Sequence, residues 1–87
     1  MDDDRTLYKL ANERDEYTTI TIDKFVADTL QQYLPDVHAW VQATYNRVAE
    51  KRPHLSRREK GDLVRVLAFR EATNQLEAHG ELNDLLP

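Results

Sequence analysis

The segment Tyr17–Ile22 constrains the fold most, because it is the one convincing β-strand in a chain whose other periodic segments are helical. β-Branched and aromatic residues, which favour strands, dominate it. Alternation gives it an inward set of side chains, Thr18, Ile20 and Ile22, and an outward set, Tyr17, Thr19 and Thr21. A single strand cannot satisfy its own backbone hydrogen bonds, so we expect it to pair with the same strand of a second copy.

Residues 1–16 are polar and acidic, and their apolar side chains at Leu7, Tyr8 and Leu10 do not alternate cleanly. A weak strand in a hairpin with Tyr17–Ile22 is one reading of this segment, but the poor alternation favours a flexible arm or a single helical turn. The expected organisation is therefore an acidic flexible arm at 1–16, a single ribbon-helical domain at 17–80 and a frayed tail at 81–87.

Two helices are predicted directly after the strand. Asp23 is a plausible N-cap for the first, which runs from Lys24 to about Leu34. Its apolar face follows helical spacing and consists of Phe25, Val26, Thr29, Leu30, Tyr33 and Leu34. Pro35 suits the first turn of a helix but not its interior, so either a kink or a new helix starts there. The second helix then extends to Lys51.

A third helix is predicted after Ser56, which forms a capping-box pattern with Glu59. It runs to about His79, where Gly80 is a natural stop. Gly61 in its second turn lowers the helix propensity by roughly 1 kcal/mol relative to alanine. The fold class is therefore mainly α with one short N-terminal β-strand, that is, a strand plus three helices, with the strand paired across a homodimer to form an antiparallel ribbon.

Aromatic side chains lie on the apolar stripes of the first two helices, at Tyr33, Trp40 and Tyr45. Such rings can stack on nucleic-acid bases. Core packing is the commoner role at helical spacing, so we expect these rings, and Thr44 on the same stripe, to face the core.

The composition argues against several classes of function. The chain has no cysteine, so it can form no disulfide or thiolate metal site. His38, His54 and His79 are scattered over different elements, and two glycines are too few for a phosphate-binding loop. We therefore expect neither an enzyme nor a cofactor. No apolar run is long enough to cross a membrane and the N-terminus is acidic, so we expect a cytoplasmic protein with no membrane partner.

The formal net charge of −4 hides a basic block at residues 51–70, which carry +5, while residues 1–23 and 71–87 each carry −4. Local charge matters more than the total for binding a polyanion. This block includes the predicted start of the third helix, where free N–H groups favour phosphate. An antiparallel ribbon fits the DNA major groove, so the strand and the basic block together predict a reader of double-stranded DNA.

These features resemble the ribbon-helix-helix family of DNA-binding proteins. The resemblance rests on Tyr17–Asp23, on the helix Lys24–Leu34 and on the segment 56–59 as the start of the family's second helix, with an extra helix between them. It implies an intertwined homodimer that acts as a transcriptional repressor, an antitoxin or a plasmid-maintenance protein. It also implies base contacts by Tyr17, Thr19 and Thr21, and phosphate contacts by Lys24, Ser56, Arg57, Arg58 and Lys60.

Two other functions stay open at this point. A helical interaction module could pair its strand with the sheet edge of another protein, and the acidic termini favour such a protein partner. Alternatively, Val37–Lys51 could be the first helix of a helix-turn-helix motif. The helix after Ser56 would then be the recognition helix, with Arg57, Arg58 and Lys60 towards the groove.

Overall fold

The computed structural model describes residues 4–85, which form a β-hairpin followed by three helices. The elements in chain order are β1 (Arg5–Ala11), β2 (Tyr17–Asp23), α1 (Lys24–Tyr33), α2 (Val37–Lys51) and α3 (Arg57–Ala78). The mainly helical class and the three helices are confirmed, as is the strand predicted at Tyr17–Ile22, which extends to Asp23.

The prediction of a single strand is wrong, because β1 lies within the segment expected to be an arm and pairs antiparallel with β2. In this register Tyr8 faces Ile20 and Lys9 faces Thr19. The backbone of β2 thus finds its partner inside the chain, and pairing across a dimer is not needed to complete the ribbon. The first three residues of the expected arm and the last two of the expected tail lie outside the described residues.

Caps separate the helices and explain their bounds. The Asp36 side chain accepts a hydrogen bond from the Ala39 N–H, so α2 is a new helix rather than the continuation of a kinked one. Ser56 and Glu59 form the expected capping box at α3. Asp23 holds the N-cap position of α1, but its side chain makes no capping hydrogen bond.

The core lies between the inner face of the hairpin and the three helices. Its fully buried large side chains come from every element and are Leu10, Ile22, Leu30, Val41, Tyr45 and Val64. Of the aromatic residues expected there, Tyr45 is fully buried, while Tyr33 and Trp40 are partly buried. Phe25 was also expected on the core face of α1, but it lies at the start of this helix and is 59% exposed.

The C-terminal end of α3 is attached to α1. The Tyr33 ring stacks on His79, with ring centroids 4.2 Å apart, and its hydroxyl donates a hydrogen bond to Glu81. The backbone N–H of Glu81 also donates to the Leu76 carbonyl at 2.9 Å. The start of the expected frayed tail is therefore held by contacts to two helices.

Candidate nucleic-acid interface

The outer face of the hairpin carries the predicted base-contacting residues Tyr17, Thr19 and Thr21. Their side chains point away from the core, as the alternation predicts, and Tyr17 is 72% exposed while Thr21 is partly covered. The register sets β1 side chains beside them, with Lys9 opposite Thr19 and Leu7 opposite Thr21. The resulting surface combines hydroxyls, an aromatic ring and cations on two adjacent strands.

Lys9 and Tyr17 form a diagonal contact on this outer face. The Lys9 ammonium lies 4.3 Å from the centroid of the Tyr17 ring, a cation–π geometry. The contact joins the two strands and leaves the ammonium at the exposed surface. Sequence reasoning missed Lys9 and Arg5 as candidates, because β1 was not recognised as a strand. A clue was the polar–apolar order from Tyr8 to Leu10, which does alternate.

The predicted phosphate contacts do not form one cluster. Lys24 lies at the start of α1 and pairs with Asp28 at 2.6 Å, and this carboxylate raises the pKa of Lys24. Ser56 uses its hydroxyl to accept the Glu59 N–H at 3.1 Å. The Glu59 carboxylate in turn accepts the Ser56 N–H, and this hydrogen bond lowers the pKa of Glu59. The first turn of α3 therefore already holds an anion.

Lys60 lies inside the fold, although the predicted phosphate contact would require it at the surface. Its side chain is only 8% exposed and its ammonium donates to Glu13 at 3.0 Å. Glu13 belongs to the hairpin turn and also accepts a hydrogen bond from Tyr45 at 3.2 Å. The hydrogen bond from Lys60 is the main reason that the pKa of Glu13 is lowered. Lys60 therefore ties the turn to α3, and this placement is not compatible with a phosphate contact.

Arg57 and Arg58 are exposed but lie in different grooves. Arg57 borders the hairpin turn, together with Glu13 and Tyr45. Arg58 borders a second groove of about 720 Å³ that runs from the end of β2 across α1 to α3. We call this second groove, lined by Arg5, Thr21, Phe25, Arg58, Arg65 and Phe69 among others, the β2 groove. It borders the hairpin face, so Arg58 shares this groove with Thr21, one of the predicted reading residues.

Comparison with family models, with curated proteins and with solved structures gave no match to this chain. The ribbon-helix-helix resemblance therefore stays a prediction. Across residues 4–85, no helix has the length and apolarity needed to cross a membrane. The same part of the chain contains no group of three or more histidine, aspartate or glutamate side chains that could hold a metal ion.

Proposed function

We propose that this protein is a small homodimeric, sequence-specific DNA-binding protein of the cytoplasm, a transcriptional repressor, antitoxin or plasmid-maintenance protein. The pairing of β2 between two copies is part of this proposal. The observation that carries it is the outer face of the hairpin. There, hydroxyl, aromatic and cationic side chains stand exposed on a two-stranded ribbon whose other face is packed on the helices.

The dimensions of the ribbon suit the major groove. Neighbouring strands lie about 4.8 Å apart, and the groove is about 12 Å wide, so the two β2 strands of the paired copies enter it with their side chains towards the base edges. The hydroxyls of Thr19 and Thr21 can donate and accept hydrogen bonds there. Tyr17 offers a ring and a hydroxyl, and Lys9 beside it offers the cation that a reading surface made only of threonines would lack.

Phosphate contacts are assigned differently from the sequence expectation. Arg58, at the border of the β2 groove, and Lys9 remain close to the reading face, whereas Lys60 is withdrawn into the fold. Ser56 and Lys24 are already engaged with Glu59 and Asp28. Backbone contacts position a protein on DNA without reading its sequence, so these cations supply affinity while the threonines supply preference.

A site-selection experiment with random duplexes, followed by fluorescence anisotropy over a salt series, tests this function. Binding should weaken steeply as salt rises, because phosphate contacts release counterions. Lys9→Ala and Arg58→Ala should weaken binding to all duplexes and flatten the salt dependence. Thr19→Ala should reduce the preference for the selected duplex roughly fivefold or more, since one base contact is lost. The matched control Thr73→Ala, on α3, should change neither quantity.

The absence of duplex binding at about 50 mM salt, where electrostatic affinity is strong, would remove DNA from the proposal. A second candidate, an interaction module for another protein, would then be favoured. The observation behind that candidate is the pair of exposed rings Phe25 and Phe69, because large exposed apolar side chains close together are typical of interaction sites. The helix-turn-helix alternative is weaker, since one of its groove-facing residues, Lys60, is buried.

A further inference from the structure

The β2 groove combines exposed aromatic rings with cationic side chains. Phe25 at the start of α1 is 59% exposed, and Phe69 on α3 is 65% exposed. Both rings line the groove, and the half-buried Val26 and the buried Ile22 add to its apolar wall. Large apolar side chains left open to water in one place are typical of binding surfaces. The groove therefore offers apolar area that a ligand can remove from water.

The groove opens on the β2 side of the hairpin because the helices approach the two strands differently. On the β1 side, the Gln42 side-chain amide accepts the Ala11 N–H and donates to the Ala11 carbonyl, each at 2.9 Å, so α2 lies against the strand. On the β2 side, the long Arg65 side chain reaches from α3 and donates through Nε to the Thr21 carbonyl at 2.8 Å. Beside this link, space remains between strand and helix.

The size of the groove suits a small organic molecule. Its volume of about 720 Å³ falls within the roughly 300–1,000 Å³ of most small-molecule sites. Such sites are mainly apolar, with a few polar groups that fix the orientation of the ligand. The walls come from β2, α1 and α3, which pack on one core, so the fold itself holds the groove in shape.

The charges that line the groove leave one cation in excess. Among the described residues they are three arginines and two aspartates, a net charge of +1. Asp62 pairs with Arg65, and 2.8 Å separates the carboxylate from the guanidinium. Asp23 lies opposite Arg5 in the hairpin register. Each aspartate is thus set beside an arginine, and Arg58 is the remaining charge.

The Arg58 guanidinium is available to a ligand. Within residues 4–85 it forms no ion pair, since Asp62, one helical turn further along α3, is engaged by Arg65. Arg58 is also exposed, so it can turn towards the groove without giving up a contact. A guanidinium binds a carboxylate strongly through two parallel hydrogen bonds.

We propose that the β2 groove binds a small organic anion in which an aromatic or aliphatic body carries one carboxylate. The body packs against Phe25 and Phe69, and the carboxylate pairs with Arg58. One carboxylate matches the one cation in excess, whereas a second would lie near Asp23 or Asp62. The same two aspartates and the net charge of +1 disfavour an organic cation.

Such an anion also regulates DNA binding, and this consequence alone rests on the proposed function. Arg58 is one of the phosphate contacts assigned there, so the ligand carboxylate and a DNA phosphate compete for one guanidinium. The anion therefore lowers the affinity for duplex. By linkage, duplex lowers the affinity for the anion by the same factor.

Titration of the ¹⁵N-labelled full chain with 3-phenylpropanoate, followed by amide NMR shifts, tests the inference. Saturable shifts should appear at Thr21, Phe25 and Phe69 and be absent at Asp15 in the hairpin turn. The alcohol 3-phenyl-1-propanol has the same body without the charge and should bind roughly tenfold more weakly, since it lacks the charge-assisted hydrogen bonds. Acetate, which has the charge without the body, should give no saturable shifts.

Variants separate the two halves of the site. Arg58→Gln should weaken binding of 3-phenylpropanoate roughly tenfold and leave binding of the alcohol unchanged, whereas Phe69→Ala should weaken both roughly fivefold. The matched controls Arg70→Gln and Leu85→Ala change exposed side chains outside the groove and should stay within about twofold. All four positions are exposed, so the variants should keep the fold, which circular dichroism checks.

Each other outcome has a definite reading. The absence of saturable shifts at the groove overturns the inference and leaves the rings to the protein partner of the second candidate function. Equal binding of acid and alcohol, or equal effects of Arg58→Gln and Arg70→Gln, also overturns it. A change in the sedimentation of the ligand-free chain caused by Phe69→Ala overturns it as well, because a second copy would then cover the groove.

Fluorescence anisotropy with duplex separates this inference from the proposed function. In the wild type, 3-phenylpropanoate should weaken duplex binding, and in Arg58→Gln it should have no effect. A chain that binds the acid but no duplex overturns the proposed function alone. Duplex binding that 3-phenylpropanoate leaves unchanged, in a chain whose groove the acid saturates, overturns the regulatory consequence alone.

Discussion

Replacing Glu13 by alanine should destabilise the fold far more than replacing its partner Lys60 by methionine. The two side chains share one ion pair with N–O distance 3.0 Å, but the Lys60 side chain is 8% exposed and the Glu13 side chain is 45% exposed. Glu13→Ala leaves a buried ammonium without its carboxylate. Lys60→Met leaves a carboxylate that water can reach.

The expected magnitudes follow from this asymmetry. Removing one partner of a buried ion pair costs about 3–5 kcal/mol, and the half-exposed turn places Glu13→Ala at the lower end, about 3 kcal/mol. Lys60→Met replaces a buried charge by an apolar chain of similar length and loses one charge-assisted hydrogen bond, so about 1 kcal/mol is expected. For a domain of this size, each kcal/mol corresponds to roughly 4–8 °C in melting temperature.

Urea unfolding followed by far-ultraviolet circular dichroism measures both losses, with Glu16→Ala as the control for a turn carboxylate whose side chain has no charged partner in the part of the chain described. The double variant Glu13→Ala/Lys60→Met should be about as stable as Lys60→Met alone, because no unpaired charge remains in the interior. Equal losses in the two single variants, or a larger loss in Lys60→Met, would refute the reasoning from burial.

Three further outcomes are expected. Ser56→Ala removes the capping box of α3 and should lower the free energy of unfolding by about 1 kcal/mol in urea titrations, whereas Ser56→Asp should retain most of it. Gly61→Ala should raise the melting temperature, because a methyl group there meets only the Arg65 guanidinium at 3.6 Å and the helix gains roughly 0.5–1 kcal/mol. The pKa of Glu13 in the folded protein lies below its ordinary value of 4.5, so its contribution to the free energy of unfolding is complete above that pH and is lost as pH falls through the folded pKa. Glu13→Gln should therefore flatten the loss of stability in acid, measured by urea titrations over a pH series.

The elements that the sequence predicted correctly are those whose signal is local. The alternation of β2 gave its two faces, and the capping box at Ser56 placed the start of α3 within one residue. The strand β1 was missed because Leu7, an apolar residue, lies on its outer face while Thr6 lies inside. With the polar and apolar residues reversed at these two positions, the alternation of a seven-residue strand can no longer be recognised from the sequence.

The candidate site was predicted less completely than the fold, since its contacts depend on tertiary structure. Lys60 belongs to a run of basic residues, and nothing in that run distinguishes the one lysine whose partner, Glu13, lies far away in the chain. Lys9 could be recognised as a candidate contact only once β1 was known to be a strand. The exposure of Phe25 has the same origin, because the helical period predicts a face but not how much of it α3 covers.

The side-chain amide of Gln42 presents Ala11 with the same donor and acceptor that a peptide unit of a neighbouring strand would present. At Ala11 the helix therefore takes the place of a further strand, and pairing there would require displacement of the amide. A helix side chain that occupies the backbone groups of a strand in this way limits growth of the sheet at that point, and with it edge-to-edge aggregation.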